Sequence, residues 1–214
     1  GFKDVGIDVI DVFPSLLTSP EAVLSRRQKE LGVVCVDIGS SCTGLAVYEE
    51  GVLRHACIIP VGGEYVTSDI ALGVRVSVDI AEKLKTDYVD LTFCDLAKPK
   101  DEEIVLSRID KKETETVSKL YLSQIAQARY KEILSLVNTE LKRLGRDGML
   151  PEGAVFVGGG SKARNLIDLA KSELRLPCTI GFPEDQEFVT GTSVSDPGFA
   201  SAVGALLLSQ RAGG

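Results

Sequence analysis

The sequence predicts an α/β fold with a smaller α/β segment inserted into its main sheet. Two glycine-centred turns, Asp37-Ile38-Gly39-Ser40-Ser41-Cys42-Thr43 and Val157-Gly158-Gly159-Gly160-Ser161, each follow an apolar, strand-like run. Strand-like runs on both sides of the first turn read as a meander, and a long helical repeat precedes the second turn. Between these lies a charged, mixed stretch from 86 to 116, where the insert is expected.

Taken in order, residues Val5 to Val12 alternate apolar and polar side chains like an edge strand. Ser19 and Pro20 then supply an N-cap and a first-turn proline for a helix to about Leu31. Val33 to Ile38, Gly44 to Tyr48 and Val52 to Ile59 form a three-stranded meander, with Glu50-Gly51 as the turn between the last two. Two short amphipathic helices follow, one capped by Thr67 and running to Leu72, the other capped by Ser77 and running through Ala81, Leu84 and Lys85. A strand is expected at Ile104 to Ile109. From Ser118 to Leu144 the apolar positions Ala126, Tyr130, Ile133, Val137, Leu141 and Leu144 recur at three- and four-residue spacing, the mark of one long helix that Gly145 ends. Ala154 to Val157 is a strand, Asn165 to Leu174 a helix, Cys178 to Ile180 a short strand, and Phe199 to Leu208 a helix rich in small residues.

Composition narrows the function classes. The 214 residues are 44% hydrophobic, enough for a real core. Lys and Arg total 24 against 31 Asp and Glu, a formal charge of -7, so no basic stripe is available for a phosphodiester backbone and nucleic acid is not an expected partner. The cysteines make no CxxC pair and read as reduced thiols of a cytosolic protein. The longest apolar stretch, Phe199 to Leu208, is too short to cross a bilayer. A start at Gly1 without methionine reads as a piece of a longer polypeptide. His55, the single histidine, follows Arg54 in the meander with no metal or nucleophile constellation near it, and is read as structural.

The turns carry the chemistry. Asp37 closes an apolar strand, so its charge must reach solvent, a partner or a metal. The backbone amides after it could face phosphate oxygens, and the bare backbone at Gly158 to Gly160 could lie against a flat ring or a sugar. Together they suggest a nucleotide site. Glu82 and Lys85 share one helical face, a spacing that a surface ion pair and a ligand-binding pair explain equally well. Ser161 is placed either to cap the next helix or to meet a base.

Several blocks in this order resemble one family. They are Val33 to Tyr48, Ile58-Ile59-Pro60-Val61-Gly62-Gly63-Glu64-Tyr65-Val66-Thr67-Ser68-Asp69-Ile70-Ala71, Ala81-Glu82-Lys83-Leu84-Lys85, Ala128-Arg129-Tyr130-Lys131-Glu132-Ile133-Leu134, the triple-glycine turn, and Asp196-Pro197 ahead of Phe199 to Gly204. Over nearly the whole chain they are similar to the second half of FtsA, the actin-like family that ties the FtsZ ring of dividing bacteria to the membrane. The resemblance implies an actin-like ATPase (ribonuclease H-like) lobe with a mixed sheet, in which 1–61 and 154–214 form core subdomain IIA and 62–153 form subdomain IIB. It implies ATP with Mg²⁺ as cofactors. Asp37 would hold the metal through water, and Gly39, Ser40, Ser41, Cys42 and Thr43 would wrap the β- and γ-phosphates. Glu82 and Lys85 would meet the ribose, and Gly158, Gly159, Gly160 and Ser161 the adenosine. It further implies that Arg129 receives the acidic C-terminal tail of FtsZ, an exposed helix arginine being the competing reading. Self-association into actin-like filaments is also implied, as is a cytoplasmic protein held at the inner membrane face only through a segment absent from this chain. The opposing lobe, which supplies the rest of the cleft, is expected elsewhere.

The first turn departs from the family pattern DIGGGTTD. Ser40 and Ser41 stand for glycines, Cys42 for a threonine and Gly44 for an aspartate. A β-carbon is costly where backbone needs positive φ or close approach, and a thiol donates poorly to phosphate, so altered binding and weak or absent hydrolysis are expected. These departures keep a PilM-like protein of type IV pilus assembly as a second reading. A sugar-kinase-type phosphotransferase is a third, and no acceptor loop with a catalytic aspartate is evident for it.

Overall fold

The computed structural model describes residues 6, 9, 12–92, 101–111, 114–183 and 194–212. Most of the alternating segment from Val5 to Val12, and Cys94, lie outside the described residues. Among the described residues, five strands form the main sheet in the order β3-β2-β1-β6-β7: β1 (Val33–Ile38), β2 (Thr43–Glu49), β3 (Val52–Ile59), β6 (Ala154–Val157) and β7 (Cys178–Ile180). The β1-β2 and β2-β3 pairs are antiparallel, whereas β1-β6 and β6-β7 are parallel, so the sheet is mixed as expected. Glu50 (φ 53) and Gly51 (φ 75) turn the β2-β3 hairpin in the left-handed region favoured by the twist of two-residue loops.

Both faces of the sheet are covered, which is why its central strands read as unbroken apolar runs. Val34, Val36 and Ile38 of β1 share one core with Leu45 and Val47 of β2 and Phe156 of β6. Val33, Cys35, Ala46, Tyr48, Val155 and Val157 point the other way, into a second cluster with Leu24 and Ala200. On the first face lie α3 (Gly63–Val74), α4 (Val78–Tyr88), α5 (Lys119–Arg143) and α6 (Leu166–Leu174). The long α5 buries Leu122, Ala126, Tyr130, Ile133, Leu134, Val137 and Leu141, and Ser118 caps it by accepting from the Tyr121 amide at 3.0 Å. A two-stranded antiparallel sheet of β4 (Glu103–Val105) and β5 (Thr116–Ser118) precedes it. On the second face, α1 (Ser15–Val23) packs on α7 (Ala200–Ala212), and a β-carbon at Gly204 would run into the Thr18 carbonyl.

Four boundaries differ from expectation. The helix anticipated from Ser19 to Leu31 is two helices: α1 begins at Ser15 with Pro20 inside it, and α2 (Arg26–Leu31) restarts at a capping box in which Ser25 and Gln28 bond reciprocally. Ser19 is therefore a buried mid-helix residue, not a cap. Thr67 is likewise interior to α3, whose N-terminus at Gly62 has no side-chain cap. The strand expected through Ile109 ends at Val105 and continues as a 3-10 turn over Leu106–Arg108. The last helix begins at Ala200, after a 3-10 turn over Pro197–Phe199 that Asp196 caps.

Candidate functional site

Asp37, the penultimate residue of β1, lies beside Gly44 on one side and Val157 on the other. Its Oδ2 accepts a hydrogen bond from the Ser19 hydroxyl at 2.6 Å. Burial pushes the carboxyl above its ordinary value of 3.8, and the Ser19 bond offsets only part of that. Among the described residues no Lys or Arg stands within ion-pair distance of it, so the charge that the strand carries inward is not neutralised by protein.

The β1-β2 turn is fixed from outside. Its Gly39 and Ser40 carbonyls accept from the Gly63 and Glu64 amides at 2.9 and 2.8 Å, which satisfies two of the free N–H groups at the start of α3. The turn therefore caps the helix, and this replaces the side-chain cap anticipated at Thr67. Neither Ser40, Ser41 nor Cys42 has positive φ, so the strain expected from their β-carbons does not arise. The Ser40 hydroxyl donates to Glu64 at 3.2 Å, and Thr43 is buried with its hydroxyl on the Val61 carbonyl at 2.8 Å. The departure at Gly44 has a packing reason: a β-carbon there would stand 2.9 Å from Leu16 of α1.

Across the cavity, Glu82 and Lys85 of α4 meet Thr67 of α3. The Lys85 ammonium donates to Glu82 Oε2 at 2.7 Å, to Thr67 Oγ1 at 2.8 Å and to the Gly63 carbonyl at 3.2 Å, and the Thr67 hydroxyl donates to Glu82 Oε2 at 2.5 Å. Burial raises the Glu82 carboxyl, but the hydrogen bonds from Lys85 and Thr67 and the Lys85 charge outweigh it and leave it below its ordinary value. Lys85 thus has all three protons engaged, whereas Glu82 presents Oε1 with no partner among the described residues.

At the second turn, Gly158 (φ 83) lies against Asp37 and Ile38, and a β-carbon on it would collide with Asp37 Oδ1 and the Ile38 carbonyl. One on Gly160 would collide with the Ile38 side chain, while one on Gly159 would meet nothing within 4 Å. Ser161 is buried and its hydroxyl donates to the Gly158 carbonyl at 2.8 Å, so it braces the turn. Two further contacts hold the turn: the Tyr130 hydroxyl donates to the Gly160 carbonyl at 2.9 Å, and the Gly158 amide donates to the Pro197 carbonyl at 2.9 Å. Burial pushes the Tyr130 phenol above its ordinary value.

These pieces enclose a cavity of about 490 Å³. Of the residues singled out in the sequence, Gly39, Ser40, Glu82, Lys85, Gly159 and Gly160 line it. Asp37, Thr43, Gly158 and Ser161 stand behind that lining, and Ser41 and Cys42 complete the turn beside it. Sequence reasoning missed Tyr130, Lys162 and Arg164, which also line it. Tyr130 was hidden in an apolar helical repeat. Lys162 and Arg164 follow the glycines closely, a charge pattern that could have marked them. Arg129 lies elsewhere: it holds Asp69 of α3 through two bonds of 2.7 and 3.0 Å, bonds Glu132, and stacks over the Tyr65 ring at 5.7 Å. Its side chain is 23% exposed, so the free surface arginine of the competing reading is not what the structure contains.

The model of the family described as Cell division protein FtsA matches residues 34–204. Cell division protein FtsA of Pseudomonas aeruginosa is 34% identical over 204 residues, which cover 94% of this chain and 48% of that protein. The protein of the same name from Bacillus subtilis is 31% identical over 194 residues, 88% of this chain and 43% of the relative. The chain spans about half the length of the curated relatives it matches. Among solved structures, MreB5 of Spiroplasma citri bound to ADP superposes with a TM-score of 0.74 at 17% identity, over 98% of this chain and 63% of that one. The PilM-PilN type IV pilus biogenesis complex gives 0.65 at 20% identity, over 94% and 52%. At such identities the likeness establishes the actin-like fold alone, whereas the family match reaches from β1 into α7: the chain belongs to the FtsA family of cell division proteins.

Proposed function

We propose that this chain is the nucleotide-binding lobe of an actin-like cell division scaffold, and that nucleotide acts in it as a switch for assembly more than as a substrate for turnover. The observation that carries the reading is the convergence of the β1-β2 turn, the Glu82-Lys85 pair and Gly159 on one cavity. The donor set fits a magnesium-bound nucleoside triphosphate. The amides of Ser40 and Ser41 have no protein partner among the described residues and suit phosphate oxygens. Glu82 Oε1 is open to accept from ribose hydroxyls, and Gly159 leaves room where a base or sugar would press on backbone. Lys85 would act indirectly, by holding Glu82 and the start of α3 in place. Asp37 is a partly buried carboxylate with no cationic partner among the described residues, the kind of group that a hydrated Mg²⁺ neutralises. When bound, the metal would offset phosphate charge next to the turn.

In this reading residues 62–153 act as subdomain IIB and 1–61 with 154–214 as subdomain IIA, the cavity lying where they meet. The proposed partners are the FtsZ tail, further copies of the protein in a filament, and a membrane surface reached through chain outside these residues. An acidic tail that uses Arg129 must compete with Asp69 and Glu132, which makes Arg129 first an internal tie between α5 and α3. A PilM-like role is the weaker reading, because its support is fold likeness while the FtsA match is one of sequence.

Calorimetric titration with Mg²⁺-ATP tests the proposal. Weak or undetectable binding is expected for these 214 residues, and tight binding for a chain extended to the relatives' full length. Equal affinities would contradict a site completed by an opposing lobe, and no binding by either would remove the nucleotide assignment.

A further inference from the structure

His55 and Cys57 are two residues apart on the edge strand β3 and so share one face, the face against which α5 brings Glu140. An imidazole nitrogen, a thiol sulfur and a carboxylate oxygen, one from each, all lie within 4.8 Å of one another. His55 Nε2 is shut off from solvent and has no hydrogen-bond partner among the described residues. Glu140 Oε2 stands 3.6 Å from it, beyond hydrogen-bond reach. A buried nitrogen in that state costs desolvation without return. The gap is instead close to the spacing of two ligands on one tetrahedral ion, roughly 3.3 Å for metal-ligand bonds of about 2.0 Å. Glu140 is also oriented from behind, because its Oε1 accepts from Arg143 at 2.5 Å and leaves Oε2 turned toward the histidine.

We propose that His55, Cys57 and Glu140 form a zinc-class metal site, three protein ligands with a fourth position for water, that fastens α5 to the edge of the main sheet. Nitrogen, sulfur and carboxylate oxygen are the donors that zinc accepts together, whereas a thiolate disfavours magnesium and calcium. When the ion binds, the Cys57 sulfur forms the metal bond and its proton passes to solvent. Partial exposure of His55 (28%) and Glu140 (18%) gives the ion a route in. The pattern escaped the sequence because the third ligand comes from a helix more than eighty residues away.

The test is titration of the reduced chain with Co²⁺ and then Zn²⁺. Cobalt is expected to give the near-ultraviolet absorption of a thiolate-bound ion, zinc to displace it, and Cys57→Ser to abolish it. Glu140→Gln and His55→Gln should each weaken zinc, measured against a chromophoric chelator, by about tenfold or more. Zinc should raise the thermal midpoint of the unmodified chain and not that of the variants, with circular dichroism confirming that each is folded. Absorption that persists in Cys57→Ser would assign the metal to another thiol and overturn the site. So would the absence of saturable binding at micromolar zinc, or affinity unchanged by Glu140→Gln.

Discussion

The two glycine turns border one cavity, yet they are held by opposite means. The β1-β2 turn carries serines at 40 and 41 without strain, because its carbonyls are gripped by the α3 amides and none of residues 40–42 has positive φ. The turn after β6 keeps three glycines for two different reasons. Gly158 and Gly160 are required by contact with Asp37 and Ile38, whereas Gly159 and Gly160 line the cavity and only at Gly159 would a β-carbon meet nothing. A glycine beside the cavity can therefore answer a packing demand or leave open space, and the two kinds respond differently to substitution.

The sharpest test of that difference is the pair Gly158→Ala and Gly159→Ala. At Gly158 the new methyl meets positive φ and two oxygen atoms, so a loss of about 3 kcal/mol is expected, roughly 6–12 °C in thermal midpoint. At Gly159 the stability change should stay within about 0.5 kcal/mol, with any effect falling on nucleotide affinity instead. Similar melting temperatures for the two variants would erase the distinction.

Asp37 links the turns and gives the next largest effect. Its folded pKa is raised, so its contribution to stability is full below its ordinary value of 3.8 and is lost as pH rises through the folded value. Asp37→Asn keeps an acceptor for Ser19 without the charge. Urea denaturation should find the variant more stable than the parent by about 1 kcal/mol at neutral pH, with the gap closing toward pH 4. A variant less stable at neutral pH would mean that the ionised carboxylate is already compensated.

The legible parts of the molecule were those where a local pattern meets a local cause. β1, β6, β7 and the long α5 follow from apolar runs and a helical period, and Ser77 caps the helix it precedes. Errors came where a distant segment took over a local role. Thr67 looks like a cap only while the turn that caps α3 is out of view. Ser19 looks like one only while Asp37 is. Tyr130 fits an apolar repeat and a hydrogen-bond brace equally well, because a phenol has both an apolar ring and a polar tip. His55 reads as isolated until α5 folds back on β3.

The smallest effect decides most cleanly between strain and its absence in the first turn. If Ser40 and Ser41 occupied backbone that needs glycine, the double variant Ser40→Gly, Ser41→Gly would relieve strain and stabilise the chain. Their φ values are not positive, so the change should act through the unfolded state, where two glycines add conformational freedom. It also removes the 3.2 Å bond from Ser40 to Glu64, an exposed contact of small worth. The expected outcome is a loss of about 0.5–1 kcal/mol by denaturant titration, with the slope unchanged. A gain in stability would restore the strain that the sequence suggested. It would also make the serines a cost borne at the β1-β2 turn, in place of a pair that the grip of α3 renders harmless.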